Sequence, residues 1–368
     1  MVKQLITAFS LLTAADEYLK GNPEPLRPQV PKSAISYDVE EVKYPNLTAN
    51  VTLAGTLTLP RTGKALPAVL LIAGSGPIDR DETVFGHKPF LVLADHLTKQ
   101  GFAVLRVDKR GIGQSTGNYD DATTEDFAAD TLAGVEYLKT RTEVDAKRIG
   151  LIGHSEGGLI APMVAVKSRD VAFVVLMGAP GVTGEETVYA QEIFISRAMG
   201  VAEKQISQQL DFQKRVFSVI KNEPDLEKAE KLLRDIIAKQ VANLPKEEQQ
   251  ASACAMEAQM KRCNSRWFRY YLTYDPTTSL KHLQVPVLAT NGELDSQVFP
   301  KQNLSVIAKT LEASGNRNYK IIEFPKLNHF FQISETGSIL EYGKIEETIA
   351  PVVLDTLAGW ISEITANG

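Results

Sequence analysis

"IGLIGHSEGGLIAP", residues Ile149 to Pro162, decides the fold. A short apolar run enters it, Gly153 and Gly157 bracket Ser155, and a second apolar run follows. Runs of this kind read as a buried strand on one side of the serine and a helix on the other. A strand that bends sharply into a helix leaves no room for side chains at the bend, and the two glycines remove them. Between them Ser155 can hold a strained backbone and project its hydroxyl clear of the sheet. The helix beginning at Glu156 aims free N–H groups at the same point, where they favour developing negative charge.

The surrounding rhythm supports that reading. Ala68 to Ala73, Phe102 to Val107, Arg148 to Ile152 and Ala172 to Met177 are short continuous apolar runs, as strands buried on both faces require. Helical stretches separate them, at Phe90 to Gln100 and at Glu125 to Thr140. Thr123 and Asp126 are spaced as a capping-box variant at the start of the second. Strand, helix, strand at this spacing predicts a parallel sheet with right-handed crossovers. Upstream, Ile35 to Val42 and Val51 to Leu59 read as an antiparallel pair, the second alternating apolar residues with threonine. From about Val182 to Leu280 no strand is apparent, and Lys, Glu, Gln and Ala recur among scattered Phe, Ile and Leu, the pattern of amphipathic helices. The rhythm returns with strands at Val285 to Asn291 and Tyr319 to Phe324 and a last helix over roughly Ile345 to Ile364. A helical block inserted between two strands cannot enter the core, so it is expected over the carboxyl end of the sheet, where ligands bind. The expected organisation is an N-terminal helix and Pro-rich linker over residues 1–33, an α/β core over 34–181 and 281–368, and a helical cap over 182–280.

G-x-S-x-G in this setting is the nucleophile-elbow pattern. A serine hydroxyl needs a base, and the base needs a third group to hold its tautomer. Of the five histidines, only His282 and His329 lie far beyond Ser155. His282 precedes the strand at Val285, with no acid-bearing strand end between it and Ser155. His329, in "PKLNHFFQ", follows the last strand and is the expected base. The acid should follow the preceding strand, where "ATNGELDSQV" offers Asp295, further into the loop, and Glu293. An oxyanion needs backbone donors. Glu156, next after the serine, supplies one. The loop "AGSGPIDRDE" supplies the other, at Ser75 or, second, Gly76. In the helical block "RWFRYYLTYDP" is the densest aromatic run, and Trp267 and Tyr270 are the candidates for substrate contact.

Other features constrain the function. Gly111-x-Gly113 in "RVDKRGIGQSTG" invites a dinucleotide reading, but Thr116 stands where a third glycine would be, and the segment reads as a structural turn. Asp79, Arg80, Asp81, Asp108 and Arg110 are expected to brace the loops as ion pairs. A net charge of −5 offers no basic stripe for nucleic acid. Cys254 and Cys263, on one helix, would be about 13 Å apart, too far for a disulfide. No zinc-ligand spacing occurs, so neither a metal nor another cofactor is expected. No segment reaches the length of a membrane span. Leu5, Phe9, Leu12 and Leu19 fit a helix stripe, and the chain is expected in the cytoplasm, or exported if residues 1–15 act as a signal segment.

"LIAGSGPIDRDET", "LRVDKRGIGQSTG", "IGLIGHSEGGLIAP" and "LNHFFQ", in this order, make the chain resemble the α/β-hydrolase superfamily. Within it, the chain is similar to a bacterial serine carboxylesterase group related to the dienelactone hydrolase and prolyl oligopeptidase catalytic domains. The resemblance covers roughly Ile35 to Ile364. It implies an α/β-hydrolase fold, a mostly parallel central sheet with flanking helices and a helical cap insertion. It also implies hydrolysis of short-chain acyl esters, with the triad on Ser155, Asp295 and His329. One departure is that many relatives open the oxyanion loop with His-Gly, where this chain has Ala73-Gly74. The expected partner is a small-molecule ester. A peptidase, a thioesterase or a lactonase could use the same residues.

Overall fold

The computed structural model describes residues 26–32, 35–198 and 200–366. Eight strands form one sheet: β1 (Tyr37–Asn46), β2 (Val51–Pro60), β3 (Leu66–Ile72), β4 (Ala103–Val107), β5 (Val144–His154), β6 (Val171–Met177), β7 (Val287–Gly292) and β8 (Tyr319–Phe324). Their spatial order is β1-β2-β4-β3-β5-β6-β7-β8. β1 and β2 pair antiparallel, β2 meets β4 antiparallel, and every later pairing is parallel. The strand carrying the serine, β5, thus lies inside the sheet between β3 and β6.

The continuous apolar runs work as expected, because both faces of the parallel strands are covered and successive residues feed opposite cores. Ala68, Leu70, Leu105, Leu151, Val174, Leu176 and Ala289 point to one face. Val69, Leu71, Val104, Ile152, Phe173, Val175 and Leu288 point to the other. Helices α1 (Pro89–Lys99), α2 (Thr124–Lys139) and α3 (Gly157–Lys167) follow β3, β4 and β5. α2 starts with the anticipated capping box, in which Thr123 and Asp126 satisfy each other's backbone N–H. α3 is apolar almost all round and buried along most of its length, so it belongs to the interior.

Between β6 and β7 runs the helical insertion: α4 (Gly184–Ala198), α5 (Glu203–Asn222), α6 (Leu226–Ala242), α7 (Lys246–Cys263), α8 (Arg266–Thr273) and the short α9 (Thr277–Leu280). It has its own core, in which Phe212, Val216 and Phe217 meet Leu233, Met256, Met260 and Phe268. Cys254 and Cys263 both lie on α7 as free thiols, and burial pushes the Cys263 thiol up to about 12. The chain closes with α10 (Pro300–Ala313), the single turn α11 (Ile339–Tyr342) and α12 (Pro351–Ala366).

Two expectations are corrected. The last helix begins at Pro351 rather than near Ile345, because the backbone of Thr348 and Ile349 is held instead by the Gln29 side chain, which accepts from the Ile349 N–H at 3.1 Å and donates to its carbonyl at 2.7 Å. The described part of the Pro-rich segment is therefore stitched to the body rather than a free linker. Arg27 reinforces it, donating to the carbonyls of Phe85, Gly86, Gly343 and Ile345. The expected N-terminal helix, and any signal segment within residues 1–15, lie outside the described residues. Among the described residues no helix is long and apolar enough to cross a membrane.

Candidate active site

Ser155 stands at the carboxyl end of β5 with φ of 52°, in the left-handed region that side-chain-bearing residues avoid. Its N–H donates to Met177 O at 2.9 Å and its carbonyl accepts from Gly158 N at 2.9 Å, so the neighbouring strand and the first turn of α3 hold the strain. The glycines are there for space. A Cβ on Gly157 would lie 2.0 Å from Ile72 O, and one on Gly153 would lie 2.0 Å from Gly157 O. The bend can form only with both side chains absent.

His329 and Asp295 meet from two neighbouring loops. Nδ1 of the imidazole lies 2.8 Å from Asp295 Oδ2, and both residues are buried. The carboxylate is heavily held: Oδ1 accepts from the N–H groups of Gln297 and Val298, and Oδ2 from Asn291 Nδ2. Asn291 and Gly292 are strand residues rather than the turn their dipeptide implies. Asn291 anchors the acid, and Gly292 gives the histidine loop room, since a Cβ there would stand 2.3 Å from Leu327 O. In that loop Asn328 Oδ1 accepts from the N–H groups of Phe330 and Gln332, each at 3.0 Å, building the turn that presents His329. Glu293 faces solvent and accepts from Lys326 N–H, away from the imidazole. His282 is exposed after α9.

Ser155 and His329 open onto one cavity of about 470 Å³. Among the described residues no hydrogen bond joins the hydroxyl to the ring, which bonds Asp295 instead. Ser75 and Gly76 line the same cavity. The N–H groups of Ser75 and Glu156 have no backbone acceptor among the described residues. The Gly76 backbone lies against the Tyr119 phenol, which makes Ser75 the more available donor.

A layer that sequence reading missed lies under these groups. Glu82 Oε1 accepts from Gly74 N–H at 2.8 Å and contacts His154 Nδ1 at 2.9 Å, while His154 Nε2 lies 3.0 Å from His329 O. A carboxylate on one side of the ring and a carbonyl on the other both want a proton from it. Burial alone would lower the His154 pKa; the Glu82 carboxylate and these hydrogen bonds outweigh it, so the pKa is raised and the protonated ring is favoured. Nothing in "GHSEGG" marks its histidine for this role, because its partner lies in a distant loop.

The charged loop residues pair, with altered partners. Arg80 holds Asp108 through both carboxylate oxygens, Arg106 meets Asp81, and Arg110 grips Asp130 across from α2. Asp79 instead closes a local turn, accepting from Asp81 N–H and from Thr83 N–H and hydroxyl. Gly113 has φ of 54°, and a Cβ there would lie 2.4 Å from Asp108 Oδ2, so the glycine-rich stretch is the turn it reads as.

The helical insertion lines the cavity with Val188, Trp267 and Tyr271. Trp267 stacks on Tyr271, their ring centroids 5.3 Å apart, and its Nε1 donates to Glu156 Oε1 at 2.6 Å. Tyr270 lies off the cavity wall. On a helix it falls on the flank of Trp267, where it stacks with Tyr274 and packs toward the sheet core.

Strand order, elbow and helical insertion define a hydrolase of the α/β-hydrolase fold. The solved structure of an esterase from Pyrococcus furiosus shares this fold with a TM-score of 0.55 at 16% identity, over 94% of this chain and 99% of that one. More particularly, the chain belongs to the X-Pro dipeptidyl-peptidase (S15) family, whose model matches residues 49–322. It is 30% identical over 325 residues to Esterase EstD of Thermotoga maritima, covering 88% of this chain and 68% of that protein. It is 26% identical over 249 residues to a bifunctional esterase/perhydrolase of Acinetobacter calcoaceticus, covering 66% and 80% respectively.

Proposed function

We propose that the protein is a carboxylesterase acting on short-chain acyl esters through an acyl-enzyme on Ser155. The observation that carries this reading is the buried His329–Asp295 pair opening onto the same cavity as a serine held at φ 52°. His329 takes the hydroxyl proton as Ser155 Oγ attacks the ester carbonyl. The tetrahedral oxyanion accepts from the N–H groups of Ser75 and Glu156. The bond to the alcohol then breaks, and His329 returns the proton to the departing oxygen. Water, deprotonated by the same imidazole, releases the acid and restores Ser155. Asp295 keeps the ring in the right tautomer and stabilises the imidazolium that forms twice in each cycle.

The names of Esterase EstD and the esterase/perhydrolase support an ester, although the family's own description is a peptidase, and the cavity favours the ester. The cleavage of a dipeptide from a peptide's N-terminus leaves a free ammonium to be bound near the serine. Glu82 is the acidic side chain on the described wall, and its Oε1 already serves Gly74 N–H and the His154 ring. The organisation into core and cap at residues 182 and 280 belongs to this proposal, with the cap setting acyl length through Trp267 and Tyr271. The test is a side-by-side screen of p-nitrophenyl esters of increasing chain length, acyl thioesters, lactones and X-Pro anilides. Fastest turnover of the C2 to C4 esters is expected. Anilides turned over faster than every ester would replace the reading with a peptidase.

A further inference from the structure

Lys109 follows β4 into the interior and is almost wholly buried. Its ammonium donates to Gly74 O at 2.5 Å, stands 3.4 Å from Glu156 Oε2 and lies 4.6 Å from the centre of the Phe127 ring. The Glu156 carboxylate is buried as well, and its other oxygen accepts from Thr124 Oγ1 at 2.7 Å and Trp267 Nε1 at 2.6 Å. Taking an ammonium and a carboxylate out of water is costly, and apolar residues of the same volume often serve stability better. The closest contact of Lys109 is a carbonyl rather than the carboxylate, and that carbonyl sits beside the elbow. A Cβ on Gly74 would lie 3.1 Å from the Cβ of Ser155.

The Gly74 carbonyl and the Ser75 N–H belong to one planar trans peptide and point in opposite directions. A cation that draws the Gly74 oxygen to itself turns the Ser75 N–H away from itself. Glu82 holds the N–H on the other side of Gly74, so this stretch of loop is clamped at both ends. We propose that Lys109 is a positioning residue of the oxyanion hole. Its ammonium, held between the Gly74 carbonyl and the Glu156 carboxylate, orients the Ser75 N–H and keeps it in register with the Glu156 N–H. The same contact polarises the Gly74–Ser75 peptide and makes its N–H a stronger donor. Because Glu156 also accepts from Trp267, seating of the cap and alignment of both donors share one carboxylate. The proposal rests on the reading of Ser155 as the acylated nucleophile.

The test compares wild type, Ser155→Ala, Lys109→Met and the double variant Lys109→Met/Glu156→Gln on p-nitrophenyl butyrate, with phenylboronic acid as a tetrahedral analogue and thermal unfolding as the control for folding. The glutamine keeps an oxygen for Thr124 and Trp267 while removing the stranded charge. Lys109→Met is expected to lower kcat about 100-fold with KM changed less than about 2-fold, the pattern of a lost oxyanion donor, and to weaken the boronate in parallel. The double variant is expected to fold and to regain melting temperature while kcat and boronate affinity stay low. Recovery of kcat in the double variant would make Lys109 a mere counter-ion and overturn the proposal, as would failure of that variant to fold or an active Lys109→Met. A wild type without Ser155-dependent esterase activity would remove the underlying reading as well. Full activity of the Lys109 variants in a Ser155-dependent enzyme would remove the present proposal alone.

Discussion

Gly157, in the elbow, and Gly200, in the insertion, would meet an added methyl group very differently. At Gly157 the Cβ would stand 2.0 Å from the carbonyl oxygen of Ile72, a backbone atom in the middle of the sheet. At Gly200 nothing among the described residues lies within 4 Å, and the φ of 73° is what opposes a side chain. The two glycines stand for the core and the helical insertion, which meet at the cavity. On the core wall, positions are set by backbone against backbone and by buried charge: Ser155 between β6 and α3, Asp295 with its several donors, Glu82 between Gly74 and His154. On the cap wall, amphipathic helices pack through one apolar stripe and leave the other side to water. Under the proposed function, the contrast separates the wall that specifies the reaction centre from the wall on which substrate preference can vary.

The contrast can be broken or sharpened by substitution. The largest effect belongs to the core wall. Ser155→Ala is expected to lower kcat for p-nitrophenyl esters by about 10³ to 10⁶, with the melting temperature retained because alanine keeps the same Cβ on the same left-handed backbone. Next, Gly157→Ala is expected to destabilise by about 3 kcal/mol or more, since neither Ile72 nor the sheet can retreat, whereas Gly200→Ala should cost about 1 kcal/mol for its left-handed backbone. Urea unfolding of both variants checks the pair, and equal losses would erase the distinction. Trp267→Phe tests the joint between the walls. It keeps a ring over Tyr271 but removes the donor to the buried Glu156 carboxylate, and a loss of about 1–2 kcal/mol with a raised KM for longer esters is expected.

His154 contributes a pH dependence to stability above neutrality. Its folded-state pKa is raised above the ordinary value of 6.5, burial opposing the shift and the Glu82 carboxylate outweighing it. A raised histidine contributes stability that is fully present below about pH 6.5 and is lost as pH climbs through the folded-state value. Urea midpoints should therefore fall on going from pH 6.5 into the alkaline range, and the fall should shrink in His154→Gln. A midpoint that rises over that range would contradict the raised pKa of His154. The smallest effect is expected on the outside of the cap, where Leu232 on α6 is 45% exposed and Leu232→Gln should change stability by less than about 0.5 kcal/mol.

What could be read in the sequence follows the same division. The parallel strands were legible because burial on both faces leaves unbroken apolar runs, and Ser155 because the steric demand of the bend leaves two glycines at fixed spacing. The pairing of His329 with Asp295 was foreseeable because each follows a strand whose apolar run is itself readable. Contacts between loops far apart in the chain left no such trace. Glu82 and His154 are 72 positions apart, Lys109 and Gly74 35, and no periodicity links either pair. Asn291-Gly292 reads as a turn by its residue types, yet pairing with β8 keeps it in the strand, where the asparagine holds the acid. In the cap, aromatic density located the right helix but not its facing side. Trp267 and Tyr271, four apart, share the helix face that reaches the cavity, and Tyr270 lies off that face, about 100° round the helix from Tyr271.

The most direct measurement is the rate and site of covalent labelling by a fluorophosphonate, followed by peptide mass mapping in the wild type and in His329→Ala and Asp295→Asn. One adduct per chain on the peptide containing Ser155 is expected, forming about 10² to 10⁴ times more slowly when the imidazole is removed and at an intermediate rate when only the carboxylate is changed. Folded protein that remains unlabelled, labelling at another residue, or labelling of Ser155 at an unchanged rate without His329 would contradict the three-residue assignment.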